Sequence, residues 1–270
     1  MHAPTLSYAA PEDPPLKSLL IRTVERLTGR RKLERRYAAT RTVAGDEFWR
    51  AALDELNVTI DANRCPSAAF PADGPTVVVA NHPFGILDGL ALCDLVARVR
   101  PRFRILINSV LCRDERFDDT FLPVDFSGSP EARRTNLGTI RSALSMLKRG
   151  GTVLIFPAGG IATSPELFGE ADDLPWKPFA AKLVQAAEAA VVPVYFAGQN
   201  SRLFQVASRL SPTLRLALIV REVLRKTGDT LPVAIGDAIP YGELAGIDDR
   251  ERLTAHLRDR TLELARRPDG

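Results

Sequence analysis

Short apolar runs alternate with amphipathic stretches from Thr76 onward, and that rhythm restricts the fold more than any other feature. Strand-like runs occupy Thr76–Ala80, Phe103–Ile107, Thr152–Phe156 and Val191–Phe196, with a further pair at Leu214–Val220 and Pro232–Ile235. Helical periodicity fills Asp88–Val99, Arg133–Lys148 and Pro178–Ala190 between them. Continuous apolar strands interleaved with helices predict an α/β fold with a mostly parallel central sheet flanked by helices. Ligands in such sheets bind beyond the carboxyl ends of strands.

Two strand ends carry candidate chemistry. The first strand runs into Asn81-His82-Pro83-Phe84-Gly85, and Asp88 follows. The chain has only three histidines, and the other two, His2 and His256, lie near its ends. A histidine with a carboxylate in reach is the arrangement of a general base, the carboxylate fixing the imidazole tautomer. The same residues also admit a structural reading, with His82 hydrogen-bonded at the strand end and Asp88 capping the next helix. The two readings are compatible. At the other strand end stands Phe156-Pro157-Ala158-Gly159-Gly160. Its glycines permit close backbone approach, so exposed N–H groups there could meet a phosphate or an oxyanion, or the segment is an ordinary turn.

Ahead of the sheet lies a basic stretch. Lys17, Arg22, Arg26, Arg30, Arg31, Lys32, Arg35, Arg36 and Arg41 face only Glu25 and Glu34, although the net charge of all 270 residues is just +3. Leu16, Leu19, Leu20, Val24 and Leu27 recur there at helical spacing, and a second helix is expected over Gly45–Leu56. The chain divides into a basic helical segment, 1–44, and a domain, 45–270. The basic segment reads either as a helix packed on the domain with a solvated face or, the reading favoured here, as a contact with anionic lipid. The first fifteen residues are proline-rich and expected to be loose, without a signal peptide. No stretch approaches the ~18 apolar residues of a membrane span. Cys65, Cys93 and Cys112 have no metal-ligand spacing, and Cys93 reads as a small buried hydrophobe. Nothing in the charge balance calls for nucleic acid.

Taken together and in this order, the two motifs resemble the PlsC-like glycerolipid and lysophospholipid acyltransferase superfamily, whose fold is that of glycerol-3-phosphate acyltransferase. Its Asn-His…Asp block is matched by Asn81, His82 and Asp88, and its Phe-Pro-Glu-Gly block by Phe156, Pro157 and Gly159. Val191-Val192-Pro193-Val194 matches its apolar strand with a central proline, and the block with an arginine falls within Pro123–Asn136. The combination is most similar to the haemolysin-like or ornithine-lipid acyltransferase branch. Five residues separate His82 from Asp88 where the common pattern has four, a spacing that branch shares. Ala158 replaces the usual glutamate, and Gly160 follows.

The resemblance implies O-acyl transfer from an acyl thioester, on acyl carrier protein or coenzyme A as co-substrate, to a lyso-lipid hydroxyl. The acceptor would be lysophosphatidic acid or a lyso-ornithine-type lipid. His82 and Asp88 would be catalytic. Asn81, Arg133, Arg134, Phe156, Pro157, Gly159 and Gly160 would bind substrate. Arg133 and Arg134 suit an anionic head group but also suit a solvated helix start, and Lys177 reads as solvated. No metal or bound cofactor is implied. The expected location is the cytoplasmic face of the inner membrane, held peripherally. Two rival functions share these residues: an inactive lipid-binding relative, and a hydrolase of lipid esters or thioesters.

Overall fold

The computed structural model describes residues 7, 9, 13–43, 45–63, 66–112, 114–166 and 169–266. His2, Pro4, Pro11, Cys65 and most of the proline-rich leader lie outside the described residues. In chain order the elements begin with α1 (Pro15–Leu27), α2 (Arg30–Ala39), α3 (Glu47–Glu55), β1 (Thr59–Ala62), α4 (Pro66–Ala69), β2 (Thr76–Ala80) and α5 (Ile86–Ala97). They continue with β3 (Phe103–Asn108), β4 (Phe121–Val124), α6 (Pro130–Lys148), β5 (Thr152–Ile155), α7 (Phe179–Ala187) and β6 (Ala190–Phe196). The last are α8 (Arg202–Leu210), α9 (Pro212–Arg225), β7 (Thr230–Ile235), α10 (Tyr241–Leu244) and α11 (Arg250–Leu262).

Among the described residues, seven strands form one sheet in the order β1-β7-β6-β2-β5-β3-β4. Every neighbouring pair is parallel except β6 with β7. Strand side chains alternate between faces, and each face has its own core. Val78, Ala80, Leu154, Val192 and Val194 pack with α3 and α5, and Val77, Val79, Val153, Ile155 and Val191 pack with α6, α7 and α11. A strand covered on both sides must be apolar at every position, which is why β2 reads as an unbroken run of buried residues.

Register then builds the site. Val79 pairs with Ile155 and Ala80 with Val194. The carboxyl ends of β2, β5 and β6 therefore stop side by side, bringing Asn81-His82 next to Phe156 on one side and Phe196 on the other.

One sequence expectation is overturned. Leu214–Val220 is not a strand but the middle of α9, a fourteen-residue helix with Pro212 in its first turn and Ser211 Oγ accepting the Thr213 N–H at 3.2 Å. This helix touches α1, α2, α5 and α8 at once. Burial on several sides erases the polar stripe that would have marked it as helical. The leucine stripe of α1 also faces the other way from a packed helix. Ile21 and Glu25 point inward, Ile21 against Ala217, whereas Leu16 and Leu27 are 79% and 80% exposed.

Candidate active site

Gly85 opens α5 with φ +84°, and a Cβ there would lie 2.7 Å from Ile161 Cδ1. Glycine thus lets the chain turn sharply from the β2 end into a helix. The turn aims Asp88 back at the strand end, as its spacing suggested. Asp88 is not the N-cap residue, which is Gly85, but it caps the helix from the first turn: its Oδ2 accepts the N–H of Phe84 at 2.8 Å and of Gly85 at 2.9 Å. The same oxygen lies 3.0 Å from His82 Nδ1. Asp88 is wholly buried, and burial raises its pKa, opposed by His82 and the two backbone N–H groups. A carboxylate on Nδ1 selects the tautomer whose Nε2 lone pair is open for a proton.

The imidazole has three further supports. Its ring stacks on Phe156 with centroids 4.1 Å apart and planes 26° from parallel. Its backbone N–H donates to Asp173 Oδ1 at 2.9 Å, and its carbonyl accepts the Ala162 N–H at 2.8 Å. Asp173 is fixed in turn by Trp176 Nε1 at 2.8 Å. Burial pushes the Asp173 carboxyl up while these two N–H donors pull it down. Asp173 escaped sequence reading because its partner lies 91 residues away.

His82 opens onto a cavity of about 760 Å³, well inside the roughly 300–1,000 Å³ of small-molecule sites. The cavity runs from the strand ends past Leu90, Cys93, Ile105 and Val223 to Phe48, Trp49 and Phe117. Cys93 is buried, as expected, and forms part of this wall. At the far end, Phe48 and Phe117 have centroids 4.5 Å apart, and the Arg116 guanidinium lies over both rings at 5.4 and 5.2 Å. Arg116 also donates to the carbonyls of Thr40, Arg41 and Val43, tying the basic segment to this end.

The other sequence candidates fall into three groups. Phe156, Pro157, Gly159 and Gly160 line the cavity beside His82. The Gly159 N–H, suggested for an anion, instead donates to the Phe156 carbonyl at 2.9 Å and closes the turn. Ala158 points the opposite way, 1% exposed in the core with Ile155 and Trp176, so a glutamate here would sit among apolar side chains. Asn81 is buried, its amide paired with the backbone of Phe196. Arg133 and Arg134 are exposed on α6 and do not line the cavity. The face that α6 turns to the cavity carries Asn136, Thr139 and Ile140; Arg134 points away from it, and Arg133, in helical register with Asn136 and Ile140, is exposed in the first turn and outside the lining. Lys177, read as solvated, is exposed yet lines the cavity, its ammonium 4.8 Å above the Phe126 ring. Arg215, on the segment misread as a strand, lines it too.

A histidine beside a buried carboxylate at the carboxyl edge of a parallel sheet, facing a long apolar cavity, defines a class of α/β protein suited to chemistry on a group attached to a greasy chain. A family model described as "Acyltransferase" matches residues 18–263, and the chain belongs to this PlsC-like acyltransferase family. It is 26% identical over 209 residues to the lyso-glycine lipid O-acyltransferase of Phocaeicola vulgatus, covering 73% of this chain and 70% of that protein. The protein of the same name from Bacteroides thetaiotaomicron is also 26% identical, with 72% of its length covered. In fold the chain resembles the crystal structure of the 1-acyl-sn-glycerophosphate acyltransferase PlsC from Thermotoga maritima. The TM-score is 0.53 at 18% identity, over 92% of this chain and 86% of that one.

Proposed function

We propose that this protein transfers a fatty acyl group from an acyl thioester to the free hydroxyl of a lyso-lipid bearing an amino-acid head group. The observation that carries this reading is the His82–Asp88 pair, 3.0 Å apart at the mouth of the apolar cavity. His82 Nε2 takes the hydroxyl proton as the acceptor oxygen attacks the thioester carbonyl. The new C–O bond forms, the C–S bond breaks, and the imidazolium returns its proton to the departing thiolate. Asp88 stabilises the imidazolium in between. The products are an ester and a free thiol, on acyl carrier protein or coenzyme A. The two relatives named for lyso-glycine lipid favour an amino-acid head group over the phosphate of lysophosphatidic acid.

The acceptor is a lipid, and the outward leucines of α1 with the basic residues around them would hold the enzyme on an anionic membrane surface, here assigned to the cytoplasmic face. No helix among the described residues is long and apolar enough to cross a membrane. The test is an acyl-transfer assay with labelled thioesters and a panel of lyso-amino-acid lipids and lysophosphatidic acid, with His82→Ala alongside. A new diacylated product that disappears in His82→Ala supports the reading. Free fatty acid in place of ester would make the protein a hydrolase, and lipid binding without any turnover would make it a binding relative.

A further inference from the structure

We propose that Arg215, assisted by Lys177, forms a carboxylate-binding subsite that holds the acidic head group of the acceptor next to His82. This inference rests on the lyso-lipid reading above and gives it a specificity determinant.

Arg215 projects from α9 into the cavity wall, half-buried. Burial lowers its pKa from the usual arginine value. Among the described residues no carboxylate lies within ion-pair distance of it, and its single hydrogen bond runs from Nη2 to the Ile161 carbonyl at 3.0 Å. A guanidinium carries five N–H donors in a planar fork. Most of this fork is therefore unused, in a place where an uncompensated charge is costly. A ligand anion completes it.

Neighbouring residues fit that role. A Cβ on Gly160 would come 3.0 Å from Arg215 Nη2, and a Cβ on Gly159 would come 3.2 Å from Lys177 Nζ. Gly159 thus leaves room for Lys177 and its neighbour Gly160 for Arg215, the Cα atoms of the two glycines being about 3.8 Å apart. The same segment reaches the base directly: Ile161 offers its carbonyl to Arg215, and the next residue, Ala162, donates its N–H to His82. A head group on Arg215 would be positioned relative to His82 through the single Ile161–Ala162 peptide unit, whose N–H holds the His82 backbone carbonyl.

The carboxylate assignment follows from the amino-acid head group of the proposed acceptor. One edge of the fork is tied to Ile161, leaving one bidentate face, which matches a planar two-oxygen acceptor. Leu174 beside it is apolar, so Arg215 and Lys177 are the charges this part of the wall offers a head group.

The experiment compares N-(3-hydroxypalmitoyl)glycine with its methyl ester as acceptors, and measures equilibrium binding of N-palmitoylglycine, which has no hydroxyl to acylate. Wild type should prefer the acid. Arg215→Gln should erase at least about tenfold of that preference, through the KM for the acid, with a melting temperature near that of wild type to show that the variant is folded. Lys177→Gln, at an exposed position, should give a smaller loss in the same direction. An acid preference that survives Arg215→Gln overturns the subsite and leaves the acyltransferase reading standing. Arg215-dependent binding of N-palmitoylglycine without turnover of any acceptor overturns that reading and leaves the subsite standing. Lysophosphatidate binding as tightly, with the same dependence on Arg215, overturns the carboxylate assignment.

Discussion

The side chain of Asn81 pairs with the backbone of Phe196 at both ends, its Oδ1 accepting the N–H at 2.7 Å and its Nδ2 donating to the carbonyl at 2.9 Å. The strand end that carries His82 is thereby fastened to β6. Asn81→Ala would leave two buried backbone groups unpaired, costing about 1–3 kcal/mol for each. A lower denaturant midpoint together with reduced kcat is expected. A normal midpoint with a raised KM alone would instead make Asn81 a contact for substrate.

In the proposed mechanism Asp88 has two tasks that one substitution can separate. Asn keeps an oxygen for the Phe84 and Gly85 N–H groups but removes the charge that supports the imidazolium. Asp88→Asn should therefore fold with a near-normal melting temperature and lose roughly 10²–10⁴ in kcat. The raised pKa of the buried carboxyl sets the sign of the pH effect. It takes up its proton at a higher pH than an exposed aspartate, so wild-type kcat should fall on the acid side sooner than such a residue would predict. An Asp88→Asn enzyme of full activity would remove Asp88 from the mechanism.

The parts of this fold that were legible in the chain are those fixed by local periodicity. β2 is read to the residue because burial on both faces demands an apolar run, and the His82–Asp88 contact follows from the turn and spacing around Gly85. The edge strands β1 and β4 carry no unbroken apolar signal because they are only partly buried, unlike β5, which is equally short but buried throughout. β1 is half exposed, and β4 contains Pro123, which an edge tolerates. Arg215 and Asp173 were illegible for another reason. Their roles depend on contacts 54 and 91 residues away in sequence, and no local pattern encodes those. The one trace was an arginine inside the apolar run Leu214–Val220.

Gly89 tests whether the cavity holds an acyl chain. It lines the cavity one helical turn before Cys93, and nothing lies within 4 Å of where its Cβ would be. Gly89→Leu should fill open space without strain and slightly favour the helix. Preference among acyl thioesters should shift to shorter chains, by about tenfold for the longest, with His82 chemistry intact. Equal loss across all chain lengths would place the acyl group elsewhere.

The far end of the cavity carries a pH-sensitive tie. Tyr37 donates to Asp114, and Arg116 pairs with the same carboxylate at 2.7 Å. Burial pushes Asp114 up, but the hydrogen bonds from Arg116 and Tyr37 outweigh it and hold the pKa at about 2, below the ordinary 3.8. A depressed carboxyl contributes stability that is complete above its unfolded pKa and is lost as pH falls through the folded one. Thermal stability should therefore drop between about pH 4 and pH 2, and less steeply in Asp114→Asn, which already lacks the charge. Parallel acid profiles for the two proteins would exclude Asp114 as the source.

The outward face of α1 allows the proposed membrane contact to be tested as two contributions. Leu16, Leu19, Leu20 and Leu27 are exposed at 79, 63, 43 and 80%, and the helix is held to α9 through Ile21 and Ala217 instead. Replacing Leu16, Leu19 and Leu20 with serine should leave the melting temperature unchanged. Each leucine inserted into lipid is worth roughly 1.5–3 kcal/mol, so the triple substitution should weaken binding to vesicles even in high salt. The basic residues act differently, at about 1 kcal/mol each near an anionic surface and screened by salt. Wild type should therefore bind vesicles containing anionic lipid more tightly than neutral ones, with the difference vanishing as ionic strength rises. Removing residues 1–41 should abolish both components. Binding that survives the truncation unchanged and ignores salt would move the membrane contact to another face of the protein, away from α1.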